Sequence, residues 1–184
     1  SPILMNPYQS CYNLLNFKEI TLKEHSFFLL SYNQKILQQT VERCYLKLQR
    51  TKVYWLNWSE KTIKFKKYNN EVTRSALVLK IMNYQKTGAV LAAVTTSLPE
   101  SIGGIRNWDY RFCWIRDASM VIRVMTNIGH FNVARRYLNF ILDLIPEKDE
   151  KIQIMYGIDG ERILPEKVLD HLAGYKNSKP VRIG

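Results

Sequence analysis

The spacing of apolar side chains changes several times along this chain, and each change predicts a new element. Ile20 and Leu22 alternate with polar neighbours, and Phe27, Phe28, Leu29 and Leu30 form a short apolar run. Over residues 18–33 this predicts two short strands joined by a Lys23-Glu24-His25 turn. Two strands do not make a stable sheet alone, so these must lean on other parts of the protein. From residue 34 to about 61, Leu37, Val41, Cys44, Leu48, Trp55 and Trp58 recur at spacings of three, four and seven, which predicts one long amphipathic helix without a proline. Its aromatic end, "VYWLNW", offers either a sugar platform or a core stripe, and helical spacing favours the core. A second helix is predicted over residues 71–85, with Asn70 or Thr73 as its N-cap and the centre "SALVLKIM" buried on most sides.

The stretch "TGAVLAAVTTSLPESIGG", residues 87–104, combines β-branched and small side chains with a proline and paired glycines. It reads as an extended segment and loop. Helical period returns over residues 116–128 and 132–144, and Gly129 between them is a natural C-cap, so the two form an αα-hairpin. Next, "KIQIMYGIDGE" alternates like a short strand ending in a glycine turn, and "LPEKVLDHL" fits a short helix with Pro165 in its first turn. There is no internal repeat, but successive helix pairs are compatible with a larger helical array.

Composition narrows the classes. With 184 residues and a hydrophobic fraction of 46%, the chain is long and apolar enough for one domain with a sizeable core. No apolar run approaches the roughly 20 residues that cross a bilayer, so no membrane partner is expected. The opening "SPILMNPYQS" has neither an initiator Met nor the basic-then-apolar pattern of a signal peptide, and reads as an internal boundary. Cys11, Cys44 and Cys113 are widely spaced and match no ligand pattern. Reduced thiols of a cytoplasmic protein are therefore expected, with no metal and no organic cofactor. The net charge of +11 would permit nucleic-acid binding, but the lysines are scattered, as in "KTIKFKK", and no RNA-binding or helix-turn-helix signature accompanies them. A solvated basic surface and no nucleic-acid partner are the expectation.

The chemistry concentrates in "GGIRNWDYRFCWIRDAS", residues 103–119, where Trp108, Tyr110, Phe112 and Trp114 stand among Arg106, Asp109, Arg111, Arg116 and Asp117. A pyranose ring has an apolar C–H face and a rim of hydroxyls. Aromatic planes cover the face, carboxylates accept from the hydroxyls, and the fixed fork of an arginine donates to them. The same residues also serve structural ends: aromatics pack cores, and Asp117 ahead of "ASMVI" can cap a helix.

Taken in order, "TGAVLAAVTTSLPESIGGIRNWDYRFCWIRDAS", "QIMYGIDGER", "LPEKVLDHLAGY" and "KPVRIG" resemble the bacterial and archaeal branch of glycoside hydrolase family 15, the glucoamylase, glucodextranase and trehalase group, over roughly residues 53–184. The resemblance implies a mainly α fold. Residues 1–33 would end an N-terminal β-sandwich, 34–70 would be a linker helix region, and 71–184 would supply the first helix pairs of an (α/α)6 toroid, left incomplete. It implies that Arg116 and Asp117 hold the hydroxyls of a terminal glucose, that Tyr110 and Trp114 form the adjoining aromatic wall, and that Arg182 lies on a loop bordering the pocket. Trp108 and Asp109 would mainly support the segment.

Members of this group invert configuration, with one Glu as acid and a second as base, separated by about 6.5–9.5 Å to admit water. The resemblance places both beyond Gly184, since none of Glu100, Glu147, Glu150, Glu161 and Glu166 sits in a matching segment. Glu161 reads as structural or rim-lining. The expected function is thus a fragment of an exo-acting α-glucosidase that releases glucose from the non-reducing ends of α-glucan oligosaccharides, itself lacking the catalytic pair. A trehalase acting on trehalose is the close alternative, and a non-catalytic sugar-binding or assembly module is a second class. Exposed apolar helix faces would favour self-association.

Overall fold

The computed structural model describes residues 15–19, 27, 29, 33, 39–144 and 151–183. They fall into two units, Ser1–Tyr54 and Trp55–Gly184. The two strands expected over residues 18–33 lie, apart from Lys18, Glu19, Phe27, Leu29 and Asn33, outside the described residues. The described part is mainly helical.

Helix α1, Val41–Glu60, is shorter than the 34–61 span read from periodicity. Residues 34–38 lie outside the described set, while Gln39 and Thr40 are not helical. Thr40 supplies the start: its hydroxyl accepts from the Arg43 N–H at 3.3 Å, the geometry of an N-cap. Helix α2, Asn69–Met82, begins before either expected cap. Tyr68 holds the N-cap position in the left-handed region (φ 57°) without a side-chain bond. Asn69 turns back instead, its Oδ1 accepting from the Phe65 N–H at 3.0 Å. The apolar centre of α2 is not buried on most sides. Only Ala76 is fully covered, and Val78 and Ile81 face solvent, because the helix packs along one side alone.

Helices α3, Ile115–Asn127, and α4, Phe131–Leu144, form the expected hairpin. Gly129 makes the reversal at φ 95°. Its N–H reaches the Thr126 carbonyl at 3.1 Å and the His130 N–H reaches Met125 at 2.8 Å, the two bonds of a Schellman motif. Apolar residues from the facing sides close two connected cores. One joins Ala118, Tyr137, Phe140 and Leu144 to Ala89, Val90, Cys113 and Tyr156. The other joins Met125, Ile128 and Val133 to Ala76 of α2, with Trp58 packed against it. Trp58 stacks on His130 at 3.8 Å and 7°, and the His130 ring bonds the Thr62 hydroxyl at 2.9 Å. The aromatic end of α1 therefore belongs to the core at Trp58, as its spacing favoured.

Among the described residues, four two-residue strands complete the frame. β1, Cys113–Trp114, pairs antiparallel with β2, Met155–Tyr156, and β3, Lys167–Val168, pairs antiparallel with β4, Arg182–Ile183. The segment "LPEKVLDHL" is thus not a helix. Lys167 and Val168 join the ladder, the Leu169 N–H extends it to the Val181 carbonyl at 2.9 Å, and the chain then turns at Leu169–Leu172. A nine-residue helix is marginal by itself, whereas the 181–183 segment offers ready backbone partners. Among the described residues no helix is long and apolar enough to cross a membrane.

Candidate functional site

The aromatic and charged segment lies in an irregular ribbon whose backbone bonds come from both sides. On one side the chain folds back on residues 92–100. The Ala92 and Ala93 N–H groups donate to the Phe112 and Tyr110 carbonyls at 3.0 Å each, Ser97 N–H to Trp108 at 2.7 Å, and Glu100 N–H to Arg106 at 3.0 Å. The Ser97 hydroxyl accepts from the Trp108 N–H at 2.7 Å. The turn is closed at Ser101–Gly104, where Gly104 N–H reaches Ser101 at 2.9 Å. The extended reading of residues 87–104 matches this course.

On the other side, residues 178–182 run alongside. Arg182 N–H donates to Asn107 at 3.1 Å, and Asp109 N–H donates to Arg182 at 2.8 Å. The buried Asn107 amide donates to Lys179 at 2.7 Å, and the Ser178 hydroxyl accepts from Gly103 N–H at 2.9 Å. Trp108 and Arg182 are thereby bridged in parallel, and β3 lies on the far side of Arg182. Backbone pairing thus ties a loop near the C-terminal end of the chain to the middle of the aromatic segment.

The side chains fall into three groups. Arg116 and Asp117 pair at 3.1 Å in the first turn of α3, and the Arg116 guanidinium lies 5.6 Å from the centre of the Trp114 ring. The Arg116 side chain is exposed and Asp117 is half-buried, so both can meet a ligand. Asp117 does not occupy the N-cap; that position is Trp114, which makes no side-chain cap bond. In the second group the Arg182 guanidinium lies 5.7 Å from the Trp108 ring centre and donates to Glu166 at 2.6 Å. In the third, Asp109 is buried and accepts from Arg111 Nε at 2.9 and 3.2 Å and from one terminal guanidinium nitrogen at 2.7 Å, plus the Arg111 backbone N–H at 3.0 Å. Burial alone would raise the Asp109 pKa, but the Arg111 hydrogen bonds and charge more than offset it and hold the carboxyl below its ordinary value.

Tyr110 is half-buried, with its carbonyl accepting from Ala93 N–H and its own N–H donating to Thr95. Trp114, Arg116 and Asp117 therefore come together, while Arg182 joins Trp108 rather than that pair. Glu161 closes the Gly157–Gly160 turn: its carboxylate accepts from Asp159 N–H at 3.1 Å and its carbonyl from Gly157 N–H at 2.9 Å. A cavity of about 300 Å3 is lined by Lys151, Gln153, Tyr156 and Arg162, none of them in these groups. Sequence reasoning missed Glu166 because it placed that residue on a helix. It missed Asn107 because an amide in an aromatic run carries no periodic signal.

Hydrogen-bond donors and acceptors fixed beside aromatic faces are what a carbohydrate-handling protein presents to a sugar, and here a mainly helical frame carries them. Comparison with known proteins narrows the class. Residues 66–184 match the glycosyl hydrolases family 15, and the chain belongs to that family. It is 42% identical over 163 residues to a trehalase of Thermoplasma volcanium, covering 88% of this chain and 26% of that protein. To a trehalase of Mycolicibacterium smegmatis it is 40% identical over 169 residues, covering 90% and 25%. To trehalase 1 of Sulfolobus acidocaldarius it is 44% identical over 118 residues, covering 63% and 21%. The chain thus spans about a quarter of the length of these relatives. No solved structure matches it significantly.

Proposed function

We propose that this chain is the sugar-gripping portion of an inverting, exo-acting trehalase. Trehalose ranks ahead of α-glucan oligosaccharides because the relatives above are named trehalases, which reverses the order in which the resemblance alone ranked the two substrates. Residues 1–33 end a β-sandwich in this reading, 34–70 link, and 71–184 begin the (α/α)6 toroid whose later helices bring the acid and base glutamates. Arg116 donates to hydroxyls of the terminal glucose, Asp117 accepts from them, Trp114 and Tyr110 cover its apolar face, and Arg182 stands at the rim. The observation that carries the reading is the Arg116–Asp117 pair at 3.1 Å with its guanidinium against Trp114. The free thiols at Cys44 and Cys113 support a cytoplasmic location.

Fixing one ring against attack places it in a near-reactive geometry, and misplacing it costs about a hundredfold in rate. Arg116→Ala and Asp117→Ala in the full-length protein are expected to lower glucose release from trehalose by at least about that factor. Near-normal turnover in both variants overturns the assignment. Turnover of maltotriose but not trehalose moves the substrate to the glucoamylase type, and the 184-residue chain by itself is expected to hydrolyse neither.

A further inference from the structure

We propose that Glu166 is a positioning residue that fixes the Arg182 guanidinium at the rim and so sets affinity for the sugar beyond the terminal ring. The proposal rests on the carbohydrate reading above. An arginine side chain has four rotatable bonds and samples many directions unless something selects one. Here the Arg182 backbone is clamped by Asn107 and Asp109, and its guanidinium is placed between the Trp108 face at 5.7 Å and the Glu166 carboxylate at 2.6 Å. Arg182 lies in β4, where it opposes Val168, and Glu166 directly precedes β3, two positions before Val168.

The solvent exposure of the pair separates positioning from stabilisation. The Glu166 side chain is 52% exposed and that of Arg182 is 27% exposed. An ion pair so open to water contributes little to folding. It does choose one rotamer, and a planar guanidinium presents five donors, so those not used by Glu166 face a ligand in a fixed direction. The Arg116–Asp117–Trp114 group is a separate arrangement at the start of α3 and holds the terminal ring in the reading above. The Arg182–Trp108 group repeats the chemistry of a guanidinium against an indole on the neighbouring strand of the ribbon, which suits it to a second ring.

The test is steady-state kinetics of the full-length protein on trehalose with Glu166→Gln, Glu166→Asp, Arg182→Ala and the double variant Glu166→Gln/Arg182→Ala. Glu166→Gln is expected to raise KM roughly five- to twenty-fold while kcat stays within about twofold. Glu166→Asp should recover part of the loss, and the double variant should be no worse than Arg182→Ala, because Glu166 acts only through that side chain. An unchanged KM in Glu166→Gln overturns the proposal, as do additive losses in the double variant. So does a loss of thermal stability with both kinetic constants intact, since that marks a structural pair. Wild-type turnover is measured first. Absence of activity on trehalose and maltotriose overturns the underlying reading and this proposal together, whereas an active wild type with an unaltered Glu166→Gln overturns this proposal alone.

Discussion

Asp109→Ala tests what holds the aromatic segment in shape. The substitution removes a buried carboxylate that accepts from three nitrogens of Arg111, the Nε at 2.9 Å, a terminal nitrogen at 2.7 Å and the backbone N–H at 3.0 Å. Breaking a fully buried charge pair costs about 3–5 kcal/mol. The Arg111 side chain is 58% exposed, however, and returns to water when released, so the loss should be about 2–3 kcal/mol. In a domain of this size that corresponds to a melting point lower by about 4–12 °C. Urea titration of the chain, followed by tryptophan fluorescence, measures it. The pH dependence has a definite sign. The folded carboxyl has a pKa below the ordinary aspartate value of 3.8, so the unfolded chain takes up the proton first as pH falls. The stabilisation is complete above pH 3.8 and is lost as pH drops through the folded value. The difference between wild type and Asp109→Ala should therefore be constant near neutrality and shrink in that acid window. A variant within about 0.5 kcal/mol of wild type at pH 7, or a difference that does not change down to the acid limit, refutes the reasoning.

Two further outcomes follow from buried polar groups. His130 has a lowered pKa, first through burial and then through Lys80 and Lys61. As pH falls through 6.5 the unfolded chain gains a proton that the folded chain resists, so stability should decline on acidification toward pH 5, and His130→Gln should remove that slope in urea midpoints taken at several pH values; parallel wild-type and variant curves contradict it. The Tyr137 hydroxyl is buried with no hydrogen-bond partner among the described residues, and its pKa is raised chiefly by burial. Tyr137→Phe should then leave stability unchanged or raise it by up to about 1 kcal/mol, and a clear loss in melting temperature would show that the hydroxyl is satisfied in solution.

How far the fold could be read in advance depended on where each element finds its partners. The α3–α4 hairpin carries its own instructions: apolar residues at helical spacing, and a glycine where φ is 95°. Its observed ends differ from the expected ones by at most one residue. Residues 164–172 carry no such local statement. Val168, Leu169 and Leu172 suit either period, and what decides is a strand contributed by Arg182–Ile183, which no local pattern reveals. The candidate site divides along the same line. Arg116, Asp117 and Trp114 are neighbours in sequence and stay neighbours in space, so their chemistry was legible. Arg182 reaches Trp108 only through a non-local backbone bridge, and its partner Glu166 was hidden by the misread helix.

Asp117 stands in the first turn of α3 without capping it. A helix start leaves several N–H groups without intrahelical partners, and a carboxylate near that end normally satisfies one. Here the residue before β2 takes the first of them. The Ile115 N–H donates to the Ile154 carbonyl at 3.1 Å, directly after the Trp114–Met155 register of the β1–β2 pair. Cys113 and Ala118, both fully buried, anchor the chain on either side of the junction. With the helix start held by a neighbouring strand, Asp117 points its carboxylate at Arg116 and keeps the favourable field of the helix N-terminus. The direction of the pair is therefore set by the strand pairing behind it, so a substitution that loosens the junction, such as Cys113→Ser, should disturb Arg116 and Asp117 without touching either.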